Sequence, residues 1–158
     1  MLGNHYWWRG GTAVPHALNG VGILVLEDRA IEIDHGACHF WLAGIGDYQT
    51  TPHNVGKALA GIPPDAAILA LTHEPVIFSQ IPGRVALLIA GHTHGGQIRI
   101  PFDWLCGPKR SNQWNVRGEV VENGRHLFVS SGIGTSHMSV RIGTPPEISM
   151  LTLNAESK

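Results

Sequence analysis

The chemistry of this 158-residue chain gathers first in Ala90-Gly91-His92-Thr93-His94-Gly95-Gly96. These residues follow Val85-Ala86-Leu87-Leu88-Ile89, an unbroken apolar run that predicts a strand buried on both faces. A strand that ends in Gly-His-Thr-His-Gly-Gly sets two imidazoles at its carboxyl edge, where open α/β sheets keep their sites. The glycines let the backbone turn sharply and leave room for a ligand. Two histidines one residue apart chelate a single ion poorly but suit two ions about 3.5–4 Å apart. Taken alone, the spacing fits a turn with two solvated histidines better than a metal site.

Two further groups change that balance. Asn4-His5 follows what reads as the end of a first strand, and His73 follows an apolar run over residues 66–71. Imidazole nitrogen and amide oxygen suit borderline divalent ions such as manganese, zinc or iron. His73 alone also fits a histidine hydrogen-bonded near a helix start. Four such groups at three strand ends, all able to share one edge of one sheet, point to metal chemistry.

The elements that must carry these groups alternate between strand and helix patterns. A strand end over residues 2–4 runs into a loop rich in aromatic side chains. Thr12 caps a helix over 13–18, which Asn19-Gly20 stops. Strands are predicted over 21–26, 30–34 and 38–45, the third running out at Gly46-Asp47. A helix over 54–60 ends at Gly61 and Pro63-Pro64. Residues 76–80 allow one helical turn at most, and 98–113 read as a long functional loop. Asn123-Gly124 turns a β-hairpin between 119–122 and 125–130. An alternating strand over 147–153 closes the chain.

Bulk composition narrows the function classes. Apolar residues make up 43% and charged residues 15%, with a formal net charge of −1, so no basic surface for nucleic acid is expected. Lys109-Arg110 is too short a basic run to alter that. Cys38 and Cys106 form no CxxC pair and read as free thiols. No apolar stretch approaches 18 residues, and residues 1–4 lack the features of a signal peptide. The expected location is cytoplasmic or membrane-associated. The length suits a single domain over 1–158.

Gly3-Asn4-His5, then His73, then Gly91-His92-Thr93-His94, in that order, resembles the calcineurin-like metallophosphoesterase superfamily. The phrases THEP, AGHTHGGQIRIP and SSGIGTSHMSVRIGTPPEI resemble its bacterial, membrane-associated branch. The resemblance implies that Asn4, His73 and His92 bind one metal and that His94 binds a second. It implies that His5 faces the substrate phosphate as a catalytic group, stabilising charge or protonating the leaving oxygen. A hydroxide bridging two ions would attack phosphorus in line. From the residues alone, Arg9 and Arg141 are equal candidates for contacting a substrate phosphate, although surface arginines are common. The implied substrate is a phosphate ester, a diester or lipid-linked pyrophosphate before a monoester. Membrane association is open to a full-length form.

The pattern also departs from the family. The Asp-x-His and Gly-Asp motifs that precede Gly-Asn-His in family members have no counterpart in the three residues before Asn4. Asp47 lies on the wrong side of Gly-Asn-His and reads as a loop residue. Tyr6 stands where an acidic residue is usual, and Ser131 where a basic one is expected. The fold expected is α/β, the C-terminal portion of a two-sheet sandwich with mixed sheets flanked by helices, truncated at its N-terminus. Two divalent ions belong to the complete family site, and at most one is expected here, with weak or no activity. The rival reading is a non-catalytic remnant binding one metal or none. A structural zinc module lacks cysteine ligands.

Overall fold

A computed structural model describes residues 1–36, 38–50, 53–99 and 117–154. Six strands form one mixed sheet: β1 (Arg29–His35), β2 (Cys38–Gly44), β3 (Ile68–Leu71), β4 (Leu87–Ala90), β5 (Gly118–Glu122) and β6 (Arg125–Val129). Their order is β1-β2-β3-β4-β6-β5. Strands β2, β3, β4 and β6 run parallel, while β1 and β5 pair antiparallel at the two edges. The four parallel strands therefore end on one edge of the sheet. The α/β class with a mixed sheet flanked by helices stands, and the described residues build one sheet of it.

Register sets which side chains share a face. Ala43 lies opposite Ala70, Ala70 opposite Leu88, and Leu88 opposite Leu127. This row is buried, together with Ile68, Ala90 and Val129. Ala58 of the short helix α3 (Val55–Ala58) covers it, with Ile77 and Phe78 from a 3-10 turn at Pro75–Gln80. Asn54 caps α3, its side-chain oxygen accepting the Lys57 N–H at 2.8 Å. Arg125 fastens the β5–β6 hairpin to the 3-10 turn. Its Nη1 donates to the carbonyls of Phe78 and Ile81 at 3.0 and 2.9 Å, and its guanidinium lies 4.8 Å from the Phe78 ring centre.

The opposite face is less covered. Its rows, Leu42-Leu69-Leu87 and Leu71-Ile89-Phe128, are half-buried. The run at Val85 is thus not buried on both faces as expected: Leu88 and Ala90 are buried while Leu87 and Ile89 are half-buried. Every residue in it is apolar, so composition carries no alternation to reveal the difference.

Three other expectations are corrected. Asn4-His5 does not end a strand but opens helix α1 (Asn4–Gly10), with the Tyr6 N–H bonded to the Gly3 carbonyl at 3.0 Å. The Leu2 N–H, which a strand would have paired in a ladder, donates instead to the Glu27 carboxylate at 2.6 Å. Residues 21–26 are not a strand either. The N–H groups of Val21 and Ile23 return to the Leu18 carbonyl at the end of α2 (Ala13–Gly20), and that of Val25 goes to the Asn19 side chain. Local capping takes the bonds that a ladder needed. Residues 147–153 form no strand among the described residues, and Ile148 and Met150 stand almost fully exposed. The predicted loop over 98–113 lies largely outside the described residues.

Candidate active site

β3 and β4 are adjacent and parallel, so the residues that follow them meet. His73 leaves β3 and His92 leaves β4, and the two rings cross edge to face at 4.8 Å. His73 Nε2 lies 3.0 Å from His92 Nδ1. Two nitrogens bound at about 2.1 Å to one octahedral ion would have the same separation. The turn carrying His92 is tight. His92 and His94 hold φ values of +66° and +52°, a left-handed backbone rare outside glycine and common where function keeps strain.

Helix α1 brings the other predicted groups. Gly3 passes so close to His73 that a Cβ there would lie 2.6 Å from the imidazole. Only glycine fits. Asn4 is buried beside it; its Oδ1 accepts the His5 N–H at 3.0 Å and its Nδ2 reaches Gln49 Oε1 at 3.4 Å. His5 is exposed, with Nε2 3.4 Å from Ser136 Oγ and its ring between Trp8 and His137. Tyr6 and Trp8 point outward.

His94 takes a different direction. Its Nδ1 lies 3.2 Å from the Gly134 carbonyl. Arg141 holds that turn in place, donating from its guanidinium to the carbonyls of Gly134, His94, Ser131 and Thr144. The guanidinium is thereby engaged with backbone, and a phosphate contact would have to compete with these four carbonyls. Gly95, at φ +63°, lies against Thr144 and Ser131, where a side chain would collide.

Two cavities meet at this edge and share His92, His94 and Ser136. One, about 640 Å³, is lined by His5, Arg9, His73, His92 and His94. The other, about 700 Å³, lies towards Tyr48, Glu74, Val76 and Met138. The first contains every predicted site residue except the buried Asn4.

The sequence reading left the carboxylates out of its site residues. Asp47, expected as a loop residue, is fully buried just beyond β2, the strand beside β3. Its Oδ2 accepts the Thr50 N–H at 2.9 Å, and its charge acts on His73, His92 and Glu74. Glu74 is also buried, with its Oε1 3.7 Å from His92 Nε2. A sharper signal was present: Gly46-Asp47 ends a strand as Gly91-His92 does.

Electrostatics follow from this burial. Burial, and then the neighbouring His92 imidazole, pulls the His73 pKa down to about 4, which the Asp47 charge partly opposes. Burial lowers His92 as well. Burial and the Asp47 charge push Glu74 up to about 7, although the Gln49 side chain and the Tyr48 N–H lie close enough to offset part of that rise. His73 is therefore a neutral imidazole near pH 7, the form that ligates a metal.

The donors fit an ion in part. His73 and His92 present two nitrogens at chelating distance, with buried carboxylates behind them. Among the described residues, no three His, Cys, Asp or Glu side chains are grouped closely enough to hold an ion.

Comparison with known proteins agrees with the class of this site. The chain is 31% identical over 166 aligned residues to YkuE of Bacillus subtilis, named an uncharacterized metallophosphoesterase, covering 98% of this chain and 55% of that protein. It is 30% identical over 146 residues to the phosphodiesterase YaeI of Escherichia coli, covering 89% of this chain and 51% of YaeI. A Bos taurus transmembrane protein with a metallophosphoesterase domain is 27% identical over 175 residues, covering 98% of this chain and 38% of that one. No family model and no solved structure matches. Over most of its length the chain is thus similar to proteins named metallophosphoesterases. It spans about half the length of the curated relatives it matches.

Proposed function

We propose that this chain carries part of the active site of a metal-dependent phosphoester hydrolase acting on phosphodiesters or lipid-linked pyrophosphates before monoesters. The observation behind this reading is the 3.0 Å approach of His73 Nε2 to His92 Nδ1 at the carboxyl edge of two parallel strands. His73, His92 and Asn4 would hold one divalent ion, and His94 a second. Manganese, zinc and iron all suit these donors. When bound, the ions supply charge neutralisation at the phosphate and an activated water at neutral pH.

The remaining work falls to protein groups. His5, exposed in the same cavity with Nε2 beside Ser136, would donate a proton to a leaving oxygen. Among the described residues, Arg9 is the guanidinium that lines that cavity and would orient the anionic ester. Asp47, and Glu74 as pH rises above about 7, would supply the negative charge that the neutral Asn-His set lacks. The Bos taurus relative named a transmembrane protein supports membrane association of a longer form. Among the described residues, no helix is long and apolar enough to cross a membrane.

A second reading is a remnant that binds one metal or none. The position of His94, turned to the Gly134 carbonyl, favours it. Metal content and bis-p-nitrophenyl phosphate hydrolysis, measured on the purified chain with manganese, separate the two. Uptake of one ion, lost in His92→Ala, with slow turnover lost in His5→Ala, supports the hydrolase. No uptake and no turnover supports the remnant.

A further inference from the structure

We propose that Glu74 is a positioning residue for His92, accepting the proton of its outer nitrogen so that Nδ1 is left bare towards His73. The contact itself is independent of any metal; its consequence for ion binding rests on the proposed function above.

The geometry is unusual in that two consecutive residues of one strand end address both nitrogens of one imidazole. His73 Nε2 lies 3.0 Å from His92 Nδ1, while Glu74 Oε1 lies 3.7 Å from His92 Nε2. Pro75 accounts for this divergence. It restricts the residue before it to extended backbone, and Glu74 adopts φ −108° and ψ 127°. Successive side chains of an extended segment point to opposite sides. His73 therefore turns towards Gly3, and Glu74 passes to the far side of the His92 ring.

Burial gives the contact its weight. The Glu74 side chain is only 3% exposed, and neither oxygen has a donor in good hydrogen-bond geometry, although the Gln49 side chain and the Tyr48 N–H lie nearby. A buried carboxylate in that state draws on whatever donor is within reach. At 3.7 Å, His92 Nε2 is one small side-chain movement or one bridging water away. The competing partner is Gln49, whose Nε2 lies 3.5 Å from the same nitrogen. If Gln49 donated there, the His92 proton would sit on Nδ1 and face His73. The two arrangements differ in the tautomer of a single ring.

An imidazole that donates one N–H to a carboxylate is fixed in tautomer and orientation, and its other nitrogen becomes more basic. Removing such a partner typically lowers metal affinity about 10- to 100-fold. Glu74 thus confers on His92 what Asn4, His73 and His92 lack among themselves: a negative charge in contact with the donor set.

The test begins with the metal-free chain, ¹⁵N-labelled, at about pH 8. Long-range ¹H–¹⁵N spectra are expected to show His92 protonated at Nε2, with the pattern changed in Glu74→Met and intermediate in Glu74→Gln. Zinc titrations are then expected to show about 10- to 100-fold weaker binding in Glu74→Met, with partial rescue by Glu74→Asp. His92 protonated at Nδ1, or a tautomer unchanged in both Glu74→Met and Glu74→Gln, would overturn the proposal. Should the wild-type chain take up no zinc while the tautomer responds to Glu74, the metal reading fails and the positioning role stands. Circular dichroism confirms that each variant folds.

Discussion

Gly3 and His73 are in van der Waals contact across the boundary between helix α1 and the sheet, with no space for even a methyl group between them. This contact links the Asn4-His5 pair to the strand ends. Gly3→Ala would put a Cβ 2.6 Å from the imidazole. The ring must then move away from His92 or α1 must lift. Overpacking of this kind costs about 1–3 kcal/mol. The expected result is a lowered melting temperature and at least tenfold weaker manganese binding, read by thermal denaturation and titration calorimetry. An unaltered affinity would show that His73 and α1 are not coupled.

The pH dependence of the metal-free chain should carry two opposed contributions. Glu74 has a folded pKa of about 7, above its ordinary 4.5, so its stabilisation is complete below pH 4.5 and is lost as pH rises through 7. His73 has a folded pKa of about 4, below its ordinary 6.5, so its contribution is present above pH 6.5 and is lost as pH falls towards 4. Between about pH 4.5 and 6.5 the two partly cancel. Glu74→Gln removes the first and leaves the second. Chemical denaturation should therefore find the variant more stable than wild type at pH 8, by about 2 kcal/mol, with the difference shrinking at pH 5. An equal difference at both pH values would contradict the assignment.

Arg125 offers a control remote from the site. Its bonds to the Phe78 and Ile81 carbonyls tie the hairpin to the turn that covers the core. Arg125→Ala should cost about 2–3 kcal/mol, since two buried carbonyls lose a charged donor. Zinc affinity, measured at a temperature where the variant is folded, should stay within twofold of wild type.

Arg141→Gln tests the opposite case, a residue whose structural role lies against the site. Four carbonyls from three loop segments lose one shared donor. The His94 turn should loosen, visible as faster amide exchange at Gly95 and Gly96, with about 2 kcal/mol lost in stability. Were Arg141 a phosphate contact instead, the variant would weaken phosphate binding and leave amide exchange unchanged.

Much of this arrangement was legible in the residues, and the pattern of failures is physical. The His92 turn could be read because a strand-length apolar run stops at a glycine, which states both the element and its end. The β5–β6 hairpin was equally clear from Asn123-Gly124, which sits at positive φ at both positions as a tight turn demands. Residues 21–26 misled because their apolar content matches a strand, yet the deciding fact was which carbonyls lay near: Leu18 at a helix end and the Asn19 side chain. Asn4 misled for the same reason. Asp47 was read as a plain loop residue because its position in the order of motifs was weighed above its position at a strand end. Parallel neighbours in a sheet need not be neighbours in sequence, and only the strand order brings Asp47 to His73.

Helix α1 packs on α2 and makes no comparable contact with any strand. At its N-terminal end Gly3 lies against His73 and Asn4 reaches Gln49. The candidate site is therefore assembled from a stiff part, the ends of β3 and β4, and a peripheral part that is anchored at few points. A ligand held by both would act as a clasp. Binding energy would be partly consumed in docking α1, and in return the helix would become resistant to proteases and slow to exchange its amides. Occupancy of the site could then be read from the protection of Tyr6 to Arg9, without following any reaction.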